Sequence, residues 1–164
     1  MRVSCFAAIL LAATSAPIAA QHTQVPFGGV EHDASAQVEI TADALQLDQA
    51  TGTAVFTGTV RVGQGELRMA ADRVEVFYVD DGTSGQIDHL IATGSVTLSN
   101  GTEAAEAEQA TYEVAAGIVE MQGDVLLTQG PNALSSQQMR IDLNTGTGVL
   151  EGRVKTILQP GTTE

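Results

Sequence analysis

The chain is poor in several residue types, and each scarcity narrows its possible functions. Its 164 residues include no tryptophan, one cysteine and 7 basic residues against 20 acidic ones. The resulting formal net charge of −13 argues against a nucleic-acid-binding protein, because such proteins present a basic face. A repelling, solvated surface that keeps the protein soluble is the simpler explanation of this charge.

The single cysteine lies in a segment with the layout of a secretory signal peptide. Residues 1–20 combine Arg2, an apolar run and a small-residue stretch that contains Pro17. We expect cleavage between Ala20 and Gln21, which removes Cys5 and leaves no disulfide. An uncleaved membrane anchor is the alternative, but the apolar run is shorter than the ~20 residues that span a bilayer. The segment therefore predicts export.

Signatures of catalysis are also absent from the sequence. There is no Gly-x-Ser-x-Gly elbow, no Walker loop and no His-Glu-x-x-His motif. His22, His32 and His89 are scattered and have no cysteine partner, so they do not indicate a zinc site. Asp80–Asp81 begins a glycine-containing loop, where a turn is expected rather than an acid/base pair. The sequence predicts a protein that is not an enzyme and uses no metal or cofactor.

What the sequence does contain is alternation of apolar and polar residues between turn signals. It starts at Gln37 and contains no proline before Pro131, a pattern typical of short β-strands. We therefore predict an all-β domain over residues 37–159 and a tail over 160–164. Residues 21–36 contain Pro26, Gly28 and Gly29 without periodicity, and we predict a flexible leader there.

A repeat organises this domain. Glycine is followed two residues later by valine at Gly58, Gly94, Gly123 and Gly152, with intervals of 36, 29 and 29 residues. The apolar residues two before and two after each glycine share one parity and so one strand face. The same parity places the glycine on that apolar face, where we expect a bend.

An earlier strand precedes each glycine, so each unit reads strand, turn, strand. Glu103–Ala110 contains strong helix formers, but the repeat register predicts a strand. Four units predict a two-walled antiparallel β-stack, with terminal edges at 38–47 and 149–158. Polar residues that recur before the glycines, at Asp43, Asp72, Glu108 and Gln137, are interpreted as outward residues at strand starts.

The apolar interior is the only candidate site. It consists of small and medium side chains. These side chains could form a filled core, or they could line a groove that holds acyl chains. Burial of each methylene of an acyl chain would contribute about 0.8 kcal/mol to the binding free energy. The predicted lipid-binding residues are Val38, Ile40, Leu45, Leu47, Phe56, Val60, Val62, Val74, Val76, Met121, Val125, Met139, Ile141, Leu150 and Val154.

Three stretches carry a resemblance to a known family. Residues 40–48, 55–62 and 70–74 resemble the opening of the OstA-like domain, as found in the LptA family of periplasmic lipopolysaccharide transport proteins. The similarity extends from about Val38 to Leu158. It implies a twisted β-jellyroll with a hydrophobic groove, located in the periplasm.

The resemblance also implies a function and partners. Family domains stack head to tail through edge strands, between LptC-like and LptD-like proteins, and lipid A chains move along the groove. It implies that Val38 and Ile40, on the first strand, contact lipid. Alternatives are an LptC-like or LptD-like adaptor module and a self-assembling β-solenoid without a lipid ligand. A carbohydrate-active β-helix ranks last, because aromatic residues are few.

Overall fold

The computed structural model describes residues 23–28, 32–48, 50–79 and 85–159. The predicted signal peptide with its cleavage site, the Asp80–Asp81 pair and the predicted tail lie outside these ranges. The strands are β1 (Thr23–Pro26), β2 (Val38–Thr41), β3 (Ala44–Asp48), β4 (Thr53–Gln64), β5 (Leu67–Tyr78), β6 (Ile87–Ser99), β7 (Glu103–Glu113), β8 (Ile118–Gln129), β9 (Asn132–Asp142), β10 (Thr147–Glu151) and β11 (Lys155–Ile157).

All of these strands belong to one antiparallel sheet, which confirms the predicted all-β class. The order is β1-β10-β9-β8-β7-β6-β5-β4-β2, while β3 also pairs with β4 and β11 with β9. The helix-forming stretch 103–110 lies in β7, as the repeat register predicted, because pairing with β6 and β8 overrides its helix propensity. None of the described residues form a helix that could span a bilayer.

Aligned β-bulges fold this sheet into two walls. At Thr57/Val60, β4 contains one residue more than β5, and the same irregularity recurs at Thr93/Val96 in β6. A bulge bends its strand, so bulges at one level bend the whole sheet. The hydroxyl of Tyr112 in β7 accordingly lies 2.5 Å from Gln64 Oε1 in β4, three strands away in the sheet order.

The two halves of the bent strands are called wall A and wall B. Wall A contains residues 38–41, 60–64, 67–71, 96–99, 103–107, 125–129, 132–136 and 155–157. Wall B contains residues 23–26, 44–48, 53–57, 73–78, 87–93, 109–113, 118–122, 138–142 and 147–151. The turns at the far ends of the walls form an A rim and a B rim, and the opening between the rims is the mouth.

Three cross-strand rows of inward residues run the length of the sheet. In wall A the row is Ile40, Val62, Met69, Leu98, Ala105, Leu127, Leu134 and Thr156. In wall B the rows are Leu45, Phe56, Val74, Ala92, Ala110, Met121, Met139, Leu150 and Thr23, and Leu47, Ala54, Val76, Leu90, Tyr112, Val119, Ile141, Gly148 and Val25. Since strands lie ~4.8 Å apart, the eight-strand row of wall A is about 34 Å long and the nine-strand rows of wall B are about 38 Å long. The in-register stacking of the predicted repeat is confirmed.

The segment predicted as a flexible leader contains regular structure. Thr23–Pro26 forms β1, which pairs with β10, and the side chain of Phe27 is completely buried. The prediction of a segment without structure is therefore wrong for these residues. The strand could not be predicted because it is only four residues long, adjacent to glycines, and stabilised by pairing with β10 in the folded chain.

The second predicted edge also differs from the structure. Residues 149–158 were expected to be exposed for pairing, but β1 covers β10, and only β11 remains an outer strand from that stretch. On wall B the outermost strand at this end is β1. Pro26 lies in it and lacks a backbone N–H, which weakens a sheet edge as a pairing template.

Candidate functional site

The repeated glycines shape the interior by forming the bulges. Gly58, Gly94, Gly123 and Gly152 have φ between +77° and +85°, a region that favours glycine. A Cβ at Gly94 would lie 2.9 Å from the Cβ of Asp72, which is exposed on the polar side. The prediction that the glycines lie on the apolar face is therefore wrong, because the left-handed backbone at the bulge breaks the alternation of side-chain directions.

A polar side chain covers each of these glycines. The pairs are Asp43 with Gly58, Asp72 with Gly94, Glu108 with Gly123 and Gln137 with Gly152. These side chains point outward as predicted, but Asp72, Glu108 and Gln137 lie in the middle of strands rather than at strand starts. The fixed spacing of 15 residues, or 22 in the unit with the insertion, was the signal that could have predicted the pairs.

The structure brings most of the predicted lipid-binding residues into one cluster. Fully or almost fully buried are Val60, Val62, Val74, Val76, Met121, Val125, Met139, Ile141 and Leu150. Val38, Ile40, Phe56 and Val154 are partly buried and pack against the same cluster. Leu45 and Leu47 belong to the inward rows, but they are 54% and 66% exposed because β3 is the outermost described strand of wall B at this edge.

The interior is apolar throughout its described length. Its buried polar residues are Gln64, Asn100 and Ser136, and no charged side chain is among the buried residues that the structure describes. Among the described residues, this buried interior contains no carboxylate. What it offers is one continuous apolar cluster, in which side chains of the two walls pack together.

The chain before β2 crosses the mouth of this interior. We call residues 23–28 and 32–37 the N-terminal segment. On the B rim, the Phe27 backbone N–H donates to the carbonyl of Gly146 at 2.9 Å. On the A rim, Asn100 Nδ2 donates to the carbonyl of Gly28 at 2.9 Å, and Gln129 Nε2 donates to that of Pro26. These contacts link both rims and close the mouth near its β10 end.

A second set of contacts closes the mouth near β2. Gln64 Nε2 donates to the carbonyls of Asp33 and Ala36, while the imidazole Nε2 of His32 lies 3.1 Å from the Val114 carbonyl. The hydroxyl of Tyr112 donates to Gln64 Oε1. Burial raises the pKa of Tyr112 to about 12, because the phenolate would be poorly solvated. This polar network joins walls A and B and the N-terminal segment.

A trough of about 730 Å³ lies on the outer side of wall A. Its lining includes the small residues Gly63, Ala70 and Thr97, together with Arg61 and Arg68. Nη1 of Arg68 already donates to the carbonyls of Gly65 and Leu67. Most of its lining residues belong to the face opposite the inward rows, although Val62 and Met69 of the wall A row also contribute.

Sequence reasoning missed the residues that close the mouth. Phe27 was assigned to the leader, and the network of His32, Gln64 and Tyr112 connects residues that are far apart in the chain. The one available signal was Phe27 itself, because aromatic residues are few in this chain and an aromatic side chain is often buried. Tyr112 lies on an inward row of wall B, but nothing in the sequence indicates that Gln64 is its partner.

Comparison with known proteins decides which family shares this architecture. The family model described as "LptA/(LptD N-terminal domain) LPS transport protein" matches residues 39–147, from β2 to the start of β10. The chain belongs to this LptA/LptD N-terminal domain family. An uncharacterised protein of Rhizobium meliloti (strain 1021) is 30% identical over 150 residues, which cover 86% of this chain and 81% of that protein.

A solved structure supports the fold of this LptA/LptD N-terminal domain family member. LptH of Pseudomonas aeruginosa, described as the LptA homologous periplasmic component of a lipopolysaccharide transport device, matches with a TM-score of 0.68. The match covers 79% of this chain and 99% of LptH, at 17% identity. At this identity the likeness establishes the β-jellyroll fold. The resemblance expected from residues 40–48, 55–62 and 70–74 is confirmed by the family match.

Proposed function

We propose that this protein is a periplasmic lipid-transfer bridge that holds lipopolysaccharide acyl chains between walls A and B and passes them towards the outer membrane. The observation that carries the proposal is the set of three apolar rows, which run in register from the β2/β3 edge to the opposite edge. Successive levels that are mostly apolar give an acyl chain similar surroundings at every step. Movement along it therefore needs no specific site and no reaction, which agrees with a protein that is not an enzyme.

The energetics favour displacement of the N-terminal segment by a lipid ligand. Each buried methylene contributes about 0.8 kcal/mol, so one chain of a dozen methylenes contributes on the order of 10 kcal/mol before ordering costs. Opening the mouth breaks several hydrogen bonds, worth roughly 1 kcal/mol each, and exposes Phe27, worth about 2–3 kcal/mol. A lipid with several chains therefore outweighs the N-terminal segment.

The edges of the sheet supply the contacts with partners in this proposal. Strand β2 and strand β3 at one end, and β11 at the other, are outer strands of the described sheet, and an outer strand presents backbone groups for pairing. Copies of the chain would add head to tail through them, and LptC-like and LptD-like proteins would add at the two ends of the bridge. The predicted signal peptide would direct the chain to the periplasm.

Photo-crosslinking in cells tests the lipid-binding part. A photo-reactive residue at Ile40 or Phe56 is expected to form an adduct with lipopolysaccharide, since both side chains pack against the interior at its open edge. Thr41 and Thr57 are matched controls, because each is the adjacent residue on the same strand with the opposite direction. Equal labelling at inward and outward positions, or no labelling at either, would contradict the proposal.

A self-assembling β-solenoid without a lipid ligand is the second candidate. The observation in its favour is the complete burial of large interior side chains such as Met121, Leu127 and Ile141, as in a permanently filled core. It predicts association that depends on protein concentration and is unaffected by lipid. The bridge predicts instead that lipopolysaccharide protects cysteines introduced by Ile40→Cys or Phe56→Cys from modification by a water-soluble thiol reagent.

A further inference from the structure

The two walls end differently at the β10 end of the sheet. In wall A the outermost strand, β11, belongs to the end of the repeat array, whereas in wall B the outermost strand is β1, from the other end of the chain. Strand β1 is only four residues long and contains Pro26. Strand β1 therefore covers the outer edge of β10, which would be exposed if the sheet consisted of the repeat strands alone.

Strand directions identify what this edge fits. Along wall B, β10 runs from the B rim to the bulge, because Thr147 pairs with Asp142 and Glu151 with Gln138. Strand β3 runs from the bulge to the B rim, since Ala44 pairs with Thr57 and Asp48 with Thr53. The β3 strand of a second copy, stacked in the same orientation, would thus lie antiparallel to β10 and continue the alternation of the sheet.

Strand β1 occupies the place that this second strand would take. It also runs from the bulge to the B rim, with Thr23 opposite Leu150 and Pro26 opposite Thr147. A β3 strand added outside β1 would have to pair in parallel, which no described pair in the sheet does. On wall A there is no such conflict, because β2 of the second copy would lie antiparallel to β11.

Side chains at the two edges are complementary in register. Leu45 would replace Thr23 opposite Leu150, and Leu47 would replace Val25 opposite Gly148. Val25 now covers the bare Gly148, since a Cβ there would lie 3.2 Å from Val25 Cγ2. Leu45 and Leu47 are 54% and 66% exposed in the single chain, so the exchange would bury apolar surface that now contacts water.

We propose that β1 is a removable edge strand, and that β3 of a second copy displaces it from β10 during head-to-tail association. This proposal rests on the head-to-tail association in the proposed function and adds which strands exchange when it occurs. Phe27 follows Pro26 directly, so release of β1 withdraws Phe27 from the core and breaks its hydrogen bond to Gly146. Addition of a copy therefore opens the mouth at the junction, where the two interiors join.

A reversible disulfide across β1 and β10 tests the displacement. Gln24 and Val149 are directly opposite each other and lie on the outer side, away from Val25. We expect the double variant Gln24→Cys/Val149→Cys, in a Cys5→Ser background, to associate at least tenfold more weakly when oxidised than when reduced. Sedimentation velocity without lipid measures both states of one protein. Equal association in the two states, or none in either, would overturn the proposal.

Hydrogen exchange on associated protein without the disulfide supplies an independent readout. Displacement predicts that the backbone amides of 23–28 lose protection on association while those of 44–48 gain it. Protection of both segments would mean that β3 adds outside β1 and would refute the exchange. Leu47→Lys should abolish both changes, and Gln46→Lys, on the outward side of the same strand, should leave them.

These outcomes are separable from the lipid-binding proposal. Adducts at Ile40 and Phe56 report on acyl chains inside one copy, whereas sedimentation and exchange are measured with no lipid present. Lipid adducts together with association that is independent of the disulfide would retain the bridge and reject the removable strand. Disulfide-dependent association without adducts would retain the strand exchange and favour the solenoid.

Discussion

At the scale of single residues, the structure depends on a pairing of glycine with a polar side chain at each bulge. The glycine has a positive φ, and the residue after it also has one, at Thr59, Ser95, Asp124 and Arg153. Two successive left-handed residues turn the strand from one wall into the other. A side chain on the glycine would collide with the polar residue that covers it, so glycine is needed at this position for two reasons.

Alanine at Gly94 is expected to destabilise the fold by at least about 2 kcal/mol. The left-handed backbone costs an L-residue ~1–2 kcal/mol, and the new Cβ would lie 2.9 Å from the Cβ of Asp72. Urea unfolding measures the change. Gly63→Ala is the matched control, because its Cβ would meet Arg68 at an ordinary 3.6 Å and no left-handed backbone is involved. Equal midpoints for the two variants would contradict this account of the bulge.

Parity along a strand predicted the inward residues because the bulge restores the alternation two residues beyond the glycine. Phe56, Val60 and Val62 all face the interior, as expected. The direction of Gly58 itself could not be predicted, since parity assumes regular strand backbone at every position. The covering Asp43 was visible as a recurrent residue, but only the folded structure places it against the glycine.

At the scale of elements, the strands of the repeat were predictable and the N-terminal strand was not. Each repeat strand has its own periodicity, and four copies reinforce one register. Strand β1 has four residues, one of them proline, and exists only because β10 offers a free edge. Its burial of Phe27 is a long-range contact with no local signal in the sequence.

The hydrogen-bond network that links β4, β7 and the N-terminal segment predicts that the stability of the fold depends on pH. Tyr112→Phe should cost roughly 1–3 kcal/mol at pH 8, because Gln64 Oε1 loses its buried donor. Since burial raises the pKa of Tyr112 to about 12 from about 10 in the unfolded chain, the native state retains the proton more strongly. This stabilisation is complete below about pH 10 and is lost as the pH rises towards 12.

The wild-type protein should therefore lose roughly 1 kcal/mol more stability per pH unit above 10 than the Tyr112→Phe variant. Urea midpoints at pH 8, 10 and 11 measure the difference. Tyr78→Phe serves as the control for removal of a tyrosine hydroxyl, because the Tyr78 side chain is 40% exposed. If the difference in urea midpoint between the wild type and Tyr112→Phe stayed constant across this pH range, the Tyr112 hydroxyl would not be ionising from a buried state.

At the scale of the whole molecule, the fold is a bent sheet whose interior connects two ends. Composition predicted this only in outline: few aromatic residues and many small apolar ones indicated an interior lined mainly by small and medium side chains. Sequence could not decide between a filled core and a groove, because the difference depends on what crosses the mouth. In the structure the N-terminal segment crosses it, and the interior side chains are buried.

The most direct test of the central claim observes the interior itself while lipid binds. Met69, Met121 and Met139 lie on the inward rows of both walls and are at most 3% exposed, so their methyl groups report from inside. With methyl-labelled methionine, NMR should show that lipopolysaccharide shifts all three resonances and gives nuclear Overhauser contacts to its acyl protons. Binding that leaves the three methyl resonances unchanged would place the lipid outside the walls and contradict the transfer bridge.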